Sequence, residues 1–539
     1  MRKYRYLRNL VLLVILIVQA CGKDDSPNPD SNPTNGTPII KAQTFNVLED
    51  MGPGVIDNVL ASDPDDDAIT FSITTNSSDL FNISENGELS LASGKALDYE
   101  TETSHQLIVE VTDGENSANA TITINVDNVR DEPFVTTWEV GAGDTLVIPT
   151  GGDYTYSCTI DWGDGTVETI TSNTPEHTYD ADGNYTVSIG VGFPSIEMKD
   201  SSSSRDKLTS IEQWGEIEWE KLENAFYFCQ NMVVKATDAP DLSKVTSLEA
   251  MFYGAISFTG NLNNWDVSNV TNMAEMFQFA ILFNSDLNNW DVSKVTDMSY
   301  MFNEAESFNG DISNWTVTSV ENMRGMFTTA QAFNQNLNLW KVEKVTNMAF
   351  MFSSATIFNG DISDWEVSAV TDMQDMFSYA NSFAQDLSSW KVGEVTNMNA
   401  MFTYATSFNS DLSGWDVQKV TDMSVMFSDA TSFNANLSSW EVDAVTDMWG
   451  MFRNAESFDH NLGDWNIENV VDMAQMLNES GLSIENYDNT LIGWADQVNA
   501  PNDLVLGADQ LQYCNGEAAR NALLGKGWQI EGDNISCNN

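Results

Sequence analysis

Cations and histidine are what this chain has least of. Its 539 residues include 23 Lys or Arg and 3 His against 80 Asp or Glu, a formal charge of −57. A field of that sign repels nucleic-acid phosphates and anionic lipid, and it draws divalent cations and basic partners instead. The histidines, His105, His177 and His460, are scattered, and no His-Glu-x-x-His, Gly-x-Ser-x-Gly or phosphate-loop string occurs. Zinc hydrolysis, serine hydrolysis and nucleotide chemistry therefore have no motif to stand on. Carboxylate pairs are so abundant that none is informative as an acid and base, and the chain reads as a non-enzyme. Long apolar runs are also missing: Leu10 to Val18 is too short to span a bilayer. With 42% hydrophobic and 11% aromatic residues there is still ample material for a core, so the acidity is expected on the surface.

Arg2, Lys3, Arg5 and Arg8 precede the short apolar run, the pattern of a secretory signal. The run ends Val18-Gln-Ala-Cys21, which resembles a lipobox, and Gly22-Lys-Asp-Asp25 resembles the export tag of surface lipoproteins in some Gram-negative bacteria. The resemblance implies a signal peptide over 1–20, a lipidated Cys21 and an exported lipoprotein anchored in the outer membrane and facing the cell exterior. Residues 21–37, rich in Pro, Asn, Ser and Asp, read as a flexible tether. The other cysteines, Cys158, Cys229, Cys514 and Cys537, can pair in three ways. Cys514 with Cys537 is the preferred disulfide, because both lie in one terminal segment of an exported chain. Cys158 and Cys229 read as buried single thiols in different modules.

Trp265, Trp290, Trp315, Trp340, Trp365, Trp390, Trp415, Trp440 and Trp465 follow one another at 25-residue intervals without an insertion. A fixed period of this size marks stacked units that cannot bury their apolar faces singly, hence a solenoid. In the unit Asp411 to Phe433, Met423, Met426, Phe427 and Ala430 fall at the spacing of a short helix, with Thr421 and Asp422 placed to cap it. Leu412, Trp415, Val417 and Val420 form the extended half. Two polar columns repeat as well. Asn284, Asn309, Asn334, Asn359, Asn409 and Asn434 make one. Asp286, Asp311, Asp361, Asp386 and Asp411, replaced by Asn at Asn261, Asn336, Asn436 and Asn461, make the other. Free exchange of Asp for Asn points to side chains that close turns on neighbouring backbone rather than to a metal ladder.

The string Asp416-Val-Gln-Lys-Val-Thr-Asp-Met-Ser-Val-Met-Phe427 and its eight relatives resemble the repeat of BspA-like leucine-rich-repeat surface proteins, roughly from Leu208 to Trp494. The resemblance implies an extracellular binding or adhesion protein and names no ligand.

Ahead of the repeats, Thr70 to Thr74, Leu107 to Val111 and Ala120 to Val126 alternate as strands with acidic clusters at their ends. Ala61-Ser-Asp-Pro-Asp65, Leu97-Asp-Tyr-Glu100, Val111-Thr-Asp-Gly114 and Asn128-Val-Arg-Asp131 together resemble a cadherin repeat. By that resemblance Asp63, Asp65, Asp98, Glu100, Asp113 and Asp131, with Glu49, are calcium ligands. Arg130 departs from the cadherin pattern at a ligand position. Asp161-Trp-Gly-Asp-Gly165 and His177-Thr-Tyr-Asp-Ala-Asp-Gly-Asn-Tyr185 resemble a PKD-type immunoglobulin-like domain, which implies a spacer.

The expected architecture is modular: two all-β immunoglobulin-like sandwiches, then an α/β leucine-rich-repeat-like solenoid with terminal caps. The boundaries are 38–133 for the cadherin-like domain, 134–200 for the PKD-like domain, 201–240 for the N-terminal cap and first repeat, 241–483 for the repeats and 484–539 for the C-terminal cap. Ser201 to Ser204 reads as a linker, and Glu517 to Leu524 as a helix. Functionally the chain reads as a calcium-binding adhesin whose partner is an extracellular protein, a polysaccharide or another copy of itself. A lipoprotein that captures glycan or peptide for an outer-membrane importer, and a ligand-free spacer, are the alternatives. Tyr300, Phe350, Tyr379, Tyr404 and Trp449 occupy non-core repeat positions, but in the sequence they change register and form no single platform.

Overall fold

The computed structural model describes residues 34–537 apart from 153 and 172; the expected signal segment, Cys21 and most of the tether lie outside the described residues. The chain divides into two compact units, Met1–Val129 and Arg130–Asn539.

The first unit is a two-sheet sandwich. One sheet orders its strands Gln43–Leu48, Ser117–Asp127, Ser104–Thr112, Thr70–Asn76, and the other orders Val55–Asn58, Glu88–Leu91, Phe81–Ile83. Alternation decides which face turns inward: His105, Leu107, Val109 and Val111 are buried along one strand and meet Ile122, Ile124 and Val126 of the next.

In the second unit the β module expected over 134–200 is not closed off from the repeats. Its sheet runs Val167–Ile170, Cys158–Asp161, Gly183–Ile189, Phe134–Val140, and continues through Leu208–Gln213 to Val233–Val234. Leu208–Gln213 pairs antiparallel with Phe134–Val140 on one edge and parallel with Val233–Val234 on the other. This strand converts an antiparallel sheet into a parallel stack. The supposed linker is instead the helix Ser202–Arg205, with Ser204 buried and its hydroxyl donating to the Val147 carbonyl. Serine composition alone reads as a linker, whereas here the hydroxyl satisfies a backbone acceptor of the strand Thr145–Val147. One continuous apolar core runs from Phe134 to Trp528.

The repeats stack in parallel through one bridge per coil, in a column that includes Asn272, Asp297, Asn322, Asn347 and Asp372 and continues to Asp472. No helix occurs between Arg205 and Ile484 among the described residues, which corrects the α/β expectation. The segment expected to be helical is a run of overlapping four-residue turns: Met426 N–H donates to the Met423 carbonyl, Ser428 to Val425, Ala430 to Phe427 and Phe433 to Ala430. Every other N–H leaves the coil, Met423 donating to Asp447, Val425 to Trp449, Phe427 to Met451 and Asp429 to Arg453 at 2.7–3.0 Å. Back-to-back turns repeat apolar positions every three and four residues, as a helix does, so the sequence periodicity does not separate the two. Nor does Thr421 cap a helix: its N–H and hydroxyl both donate to the Thr396 carbonyl of the preceding coil.

Each tryptophan ring stacks on the next at 6.1–6.5 Å between centroids. From Trp290 onward each indole N–H donates to the Leu or Ile carbonyl of the preceding coil, as Trp365 does to Leu337 at 2.9 Å. Trp265 heads the ladder and its indole nitrogen has no acceptor. Of the polar columns, the one containing Asp311 closes turns as expected, Asp311 accepting from the Ser313 N–H at 3.0 Å, except at Asp286, which accepts from the Asp311 N–H of the next coil at 2.9 Å. Such bonds also hold the Asp386 and Asp411 carboxyls below their ordinary range. The asparagine column does something else. Asn284 accepts from the Asn309 N–H, Asn309 from Asn334 and Asn334 from Asn359, so these side chains tie coil to coil.

The turns place two residues per coil at positive φ, for example Val425 at 48° and Asp429 at 59°. Gly325 and Gly450 occupy the equivalent of Val425 in other coils. A β-branched residue there is strained by about 1–2 kcal/mol. Val425→Gly is expected to raise stability by about 1 kcal/mol after its unfolded-state entropy is counted. Urea melts check this, and an unchanged or lower midpoint contradicts the strain argument.

The C-terminal segment closes the stack. Ser483 caps the helix Ile484–Asp496 by accepting from Asn486 N–H, and Leu506 bridges Met473 of the last coil. Trp494 adds a last rung, donating to Leu462. The second cap helix is Glu517–Gly525, and a disulfide joins Cys514 to Cys537. Cys158 and Cys229 are free and buried within the same core; burial pushes the Cys158 thiol up to about 11 and raises that of Cys229 as well.

Candidate functional site

The acidic side chains singled out in the first unit separate into two groups. Glu49, Asp98 and Glu100 each bring a carboxylate oxygen within 4.8 Å of the other two, Glu49 being buried and the other two exposed. Glu49 sits just past the strand Gln43–Leu48. It accepts from the Tyr99 N–H at 2.8 Å and from the Val129 N–H, which fixes both oxygens. Asp98 accepts from the N–H and hydroxyl of Thr101, and these bonds keep its carboxyl below the ordinary range and available as an anion. Glu100 accepts from the Asn128 amide at 2.8 Å.

Asp63, Asp65 and Asp113 are elsewhere, gathered by residues the sequence assigned to the tether. Gly36 N–H donates to Asp65 at 2.6 Å, the Asn116 amide donates to the Asn35 carbonyl, and Asp65 N–H donates to Asp63. Asp113 accepts from the N–H groups of Asn116 and Glu115, which lower its pKa. Three oxygens in this region, Asn35 Oδ1, Asp63 Oδ2 and Asp113 Oδ2, are enclosed without any hydrogen-bond donor. Enclosed acceptors left without donors are costly unless a cation meets them. Sequence reading missed Asn35 because Pro-, Asn- and Ser-rich composition carries no trace of a long-range bond to an acidic loop.

Asp131 belongs to the second unit, where its N–H donates to the Glu216 carboxylate at 2.9 Å. The guanidinium of Arg130 pairs with Asp241 at 2.8 Å. The Asp161 to Gly165 motif closes turns, with Asp161 accepting from Gly163 N–H and Asp164 from Thr166 N–H. Asp164 also meets His177 at 2.7 Å, beside the stacked rings of Trp162 and His177, and this bond lowers the Asp164 pKa. No helix among the described residues is long and apolar enough to cross a membrane.

The cadherin domain family matches residues 43–127. Solved structures similar to the chain include human mucin-like protocadherin EC1-2, at 25% identity and a TM-score of 0.16, covering 18% of this chain and 56% of that one. Human protocadherin-24 EC1-2 is similar at 13% identity and a TM-score of 0.18, covering 28% and 94%. Mouse clustered PcdhgC3 EC1-3 is similar at 24% identity and a TM-score of 0.16, covering 18% and 34%. The chain thus spans just over half the length of the first of these. No curated protein matches it. The family described as "Mycoplasma protein of unknown function, DUF285" matches residues 220–340, 311–397 and 385–490, together just over half of the chain, and the chain belongs to that family.

Proposed function

We propose that this chain is a surface-exposed, non-enzymatic adhesive protein, with a calcium-stiffened cadherin-like unit and a repeat stack that recognises an extracellular partner. The observation that carries the calcium reading is the set of three enclosed, donorless oxygens on Asn35, Asp63 and Asp113, inside the segment the cadherin family matches together with its N-terminal approach. Calcium takes about six to eight hard oxygens gathered from separate loops, and two groups of carboxylates supply donors of that kind. Glu49, Asp98 and Glu100 are assigned to one site and Asp63, Asp65 and Asp113, with Asn35, to the other. Calcium would neutralise the repulsion within each group and tie loops that the backbone alone leaves separate. Anchorage through lipidated Cys21 in the outer membrane, a BspA-like character of the repeats and a PKD-like character of residues 134–200 belong to the same proposal.

Calorimetric titration of the chain from Ser26 onward with calcium tests it. Saturable binding is expected, with Asp63→Ala and Asp98→Ala each abolishing a different part of the heat. At calcium a hundredfold above Kd the unit should gain about 2.7 kcal/mol, read as a raised melting transition that chelator reverses. Absence of binding at millimolar calcium would leave the cadherin likeness purely architectural.

A further inference from the structure

The hairpin between the strands Ser104–Thr112 and Ser117–Asp127 closes without help from its last side chain. Thr112 pairs with Ser117, and the Asp113 N–H and the Thr112 hydroxyl both donate to the Asn116 carbonyl. One oxygen of Asp113 accepts from the N–H groups of Glu115 and Asn116 at 2.8 and 2.7 Å. The turn thus makes no use of the Asn116 amide. That amide donates instead to the carbonyl of Asn35, 81 residues away, at 3.1 Å.

A common pattern runs through the three donorless oxygens. Asp113 has Oδ1 tied to its own loop and Oδ2 enclosed and bare. Asp63 is alike, with Oδ1 accepting from the N–H groups of Asp65 and Asp67 and Oδ2 bare. In Asn35 the amide nitrogen donates to Glu115 at 3.4 Å while Oδ1 is bare. Each side chain is oriented by its bonded end, and the end left over meets no donor. The two carboxylates are held by their own loops, but Asn35 arrives from another part of the chain. Its bond to Glu115 is long, so the Asn116 amide is the firmer tie. The next residue, Gly36, donates its N–H to Asp65 at 2.6 Å. Residues 35 and 36 thereby join the loop of Asp113 to the loop of Asp63 and Asp65, and Asn116 is the clip at one end of that join.

We propose that Asn116 is a positioning residue of the calcium site assigned to Asn35, Asp63, Asp65 and Asp113, an inference that rests on the calcium reading and deepens it. Its amide donates to the chain and does not coordinate. Calcium needs several oxygens presented together, and a ligand ordered in advance spares the cost of ordering it on binding. Outer residues that fix the orientation of a ligand are worth about 10–100-fold in metal affinity.

Calcium titration of the full chain carrying Asp98→Ala, in which only the heat of this site remains, tests the role. Asn116→Leu, similar in shape but without a donor, is expected to weaken the binding by about tenfold. Its melting temperature in chelator should match that of the parent, since the hairpin closes without this side chain. Asn116→Gln keeps an amide and should recover part of the loss. Asn116→Asp separates positioning from coordination: an added charge tightens binding at a ligand, whereas a carboxylate cannot donate to the Asn35 carbonyl and weakens binding at a positioning residue. Hydrogen exchange at residues 34–38 should be faster in Asn116→Leu even in chelator, because the clip is lost with or without calcium. Unchanged affinity in Asn116→Leu, or tighter binding by Asn116→Asp, overturns the proposal and leaves the calcium reading intact. A fall in the chelator melting temperature of Asn116→Leu alongside the weaker binding shows a structural role and overturns it too. Absence of calcium heat in the wild type removes the calcium reading itself, and this role with it.

Discussion

Phe377→Ala is expected to lose about 3–5 kcal/mol and to split the repeat stack into two separately melting parts. The ring is fully buried. It stacks on Phe383 of its own coil at 4.0 Å and on Phe352 and Phe402 of the neighbouring coils at 5.7 and 5.6 Å. Truncation therefore removes these three ring contacts and a fourth, to Trp390 at 6.3 Å, and leaves a cavity that rigid turns on either side cannot close. Stacked repeats are stabilised by nearest-neighbour interfaces, so two weakened interfaces in the middle uncouple what lies before from what lies after. Urea unfolding followed by tryptophan fluorescence should change from one transition to two, with part of the signal moving to lower denaturant. A single transition at the wild-type midpoint would show that the Phe ladder contributes little to coupling.

The second large effect is expected at the other end of the stack. Arg520 donates to both oxygens of Asp533, at 2.7 and 2.6 Å, and the Tyr487 hydroxyl donates to the same carboxylate at 3.0 Å. The Asp533 side chain is fully enclosed and that of Arg520 is 16% exposed. Paired, the two charges satisfy each other, and the carboxylate is also the electrostatic reason, after burial itself, that the Tyr487 hydroxyl resists ionisation. Asp533→Ala leaves a buried guanidinium and a buried phenol without their acceptor, which costs about 3–5 kcal/mol. Because the helix Ile484–Asp496 carries Tyr487 and covers the last coil, the loss should appear as early unfolding of the cap, detectable as proteolysis near residue 500 before the repeats melt. The triple variant Tyr487→Phe, Arg520→Met and Asp533→Leu should recover most of the loss, since an apolar set of similar volume avoids desolvation, the orphaned charge and the orphaned hydroxyl. Equal stability of Asp533→Ala and wild type would mean that water reaches the guanidinium.

The two kinds of repeated polar residue illustrate how far identity and spacing reach. Asp311, Asp361, Asp386 and Asp411 close their own turns, a local act that depends on the residue and its next two neighbours, whereas Asp286 in the same column accepts from the Asp311 N–H of the next coil. Asn309 is the same type of residue at the same period, yet it receives its hydrogen bond from a coil 25 residues away. Nothing within one repeat distinguishes these outcomes. Gly36, Asn35 and Asp113 follow the second logic in the other unit, where a stretch with tether composition is drawn onto acidic loops some 30 to 80 residues distant.

By itself the sequence determined the period, the buried set and the stacking. Trp, Phe, Met, Leu and Val recur where an apolar interior requires them, and units of this size have no core unless stacked. It also determined the alternation of the β sandwich, because side-chain direction in a strand depends only on odd and even position. Tertiary structure alone decided that the Met-Phe segments are turns and not helices, since the choice turns on whether each N–H is satisfied within its coil or by the next one. It likewise decided that the β module of residues 134–200 shares a sheet and a core with the first repeat. These are consequences of long-range hydrogen bonds and of backbone handedness at single residues, neither of which leaves a mark in residue type or spacing.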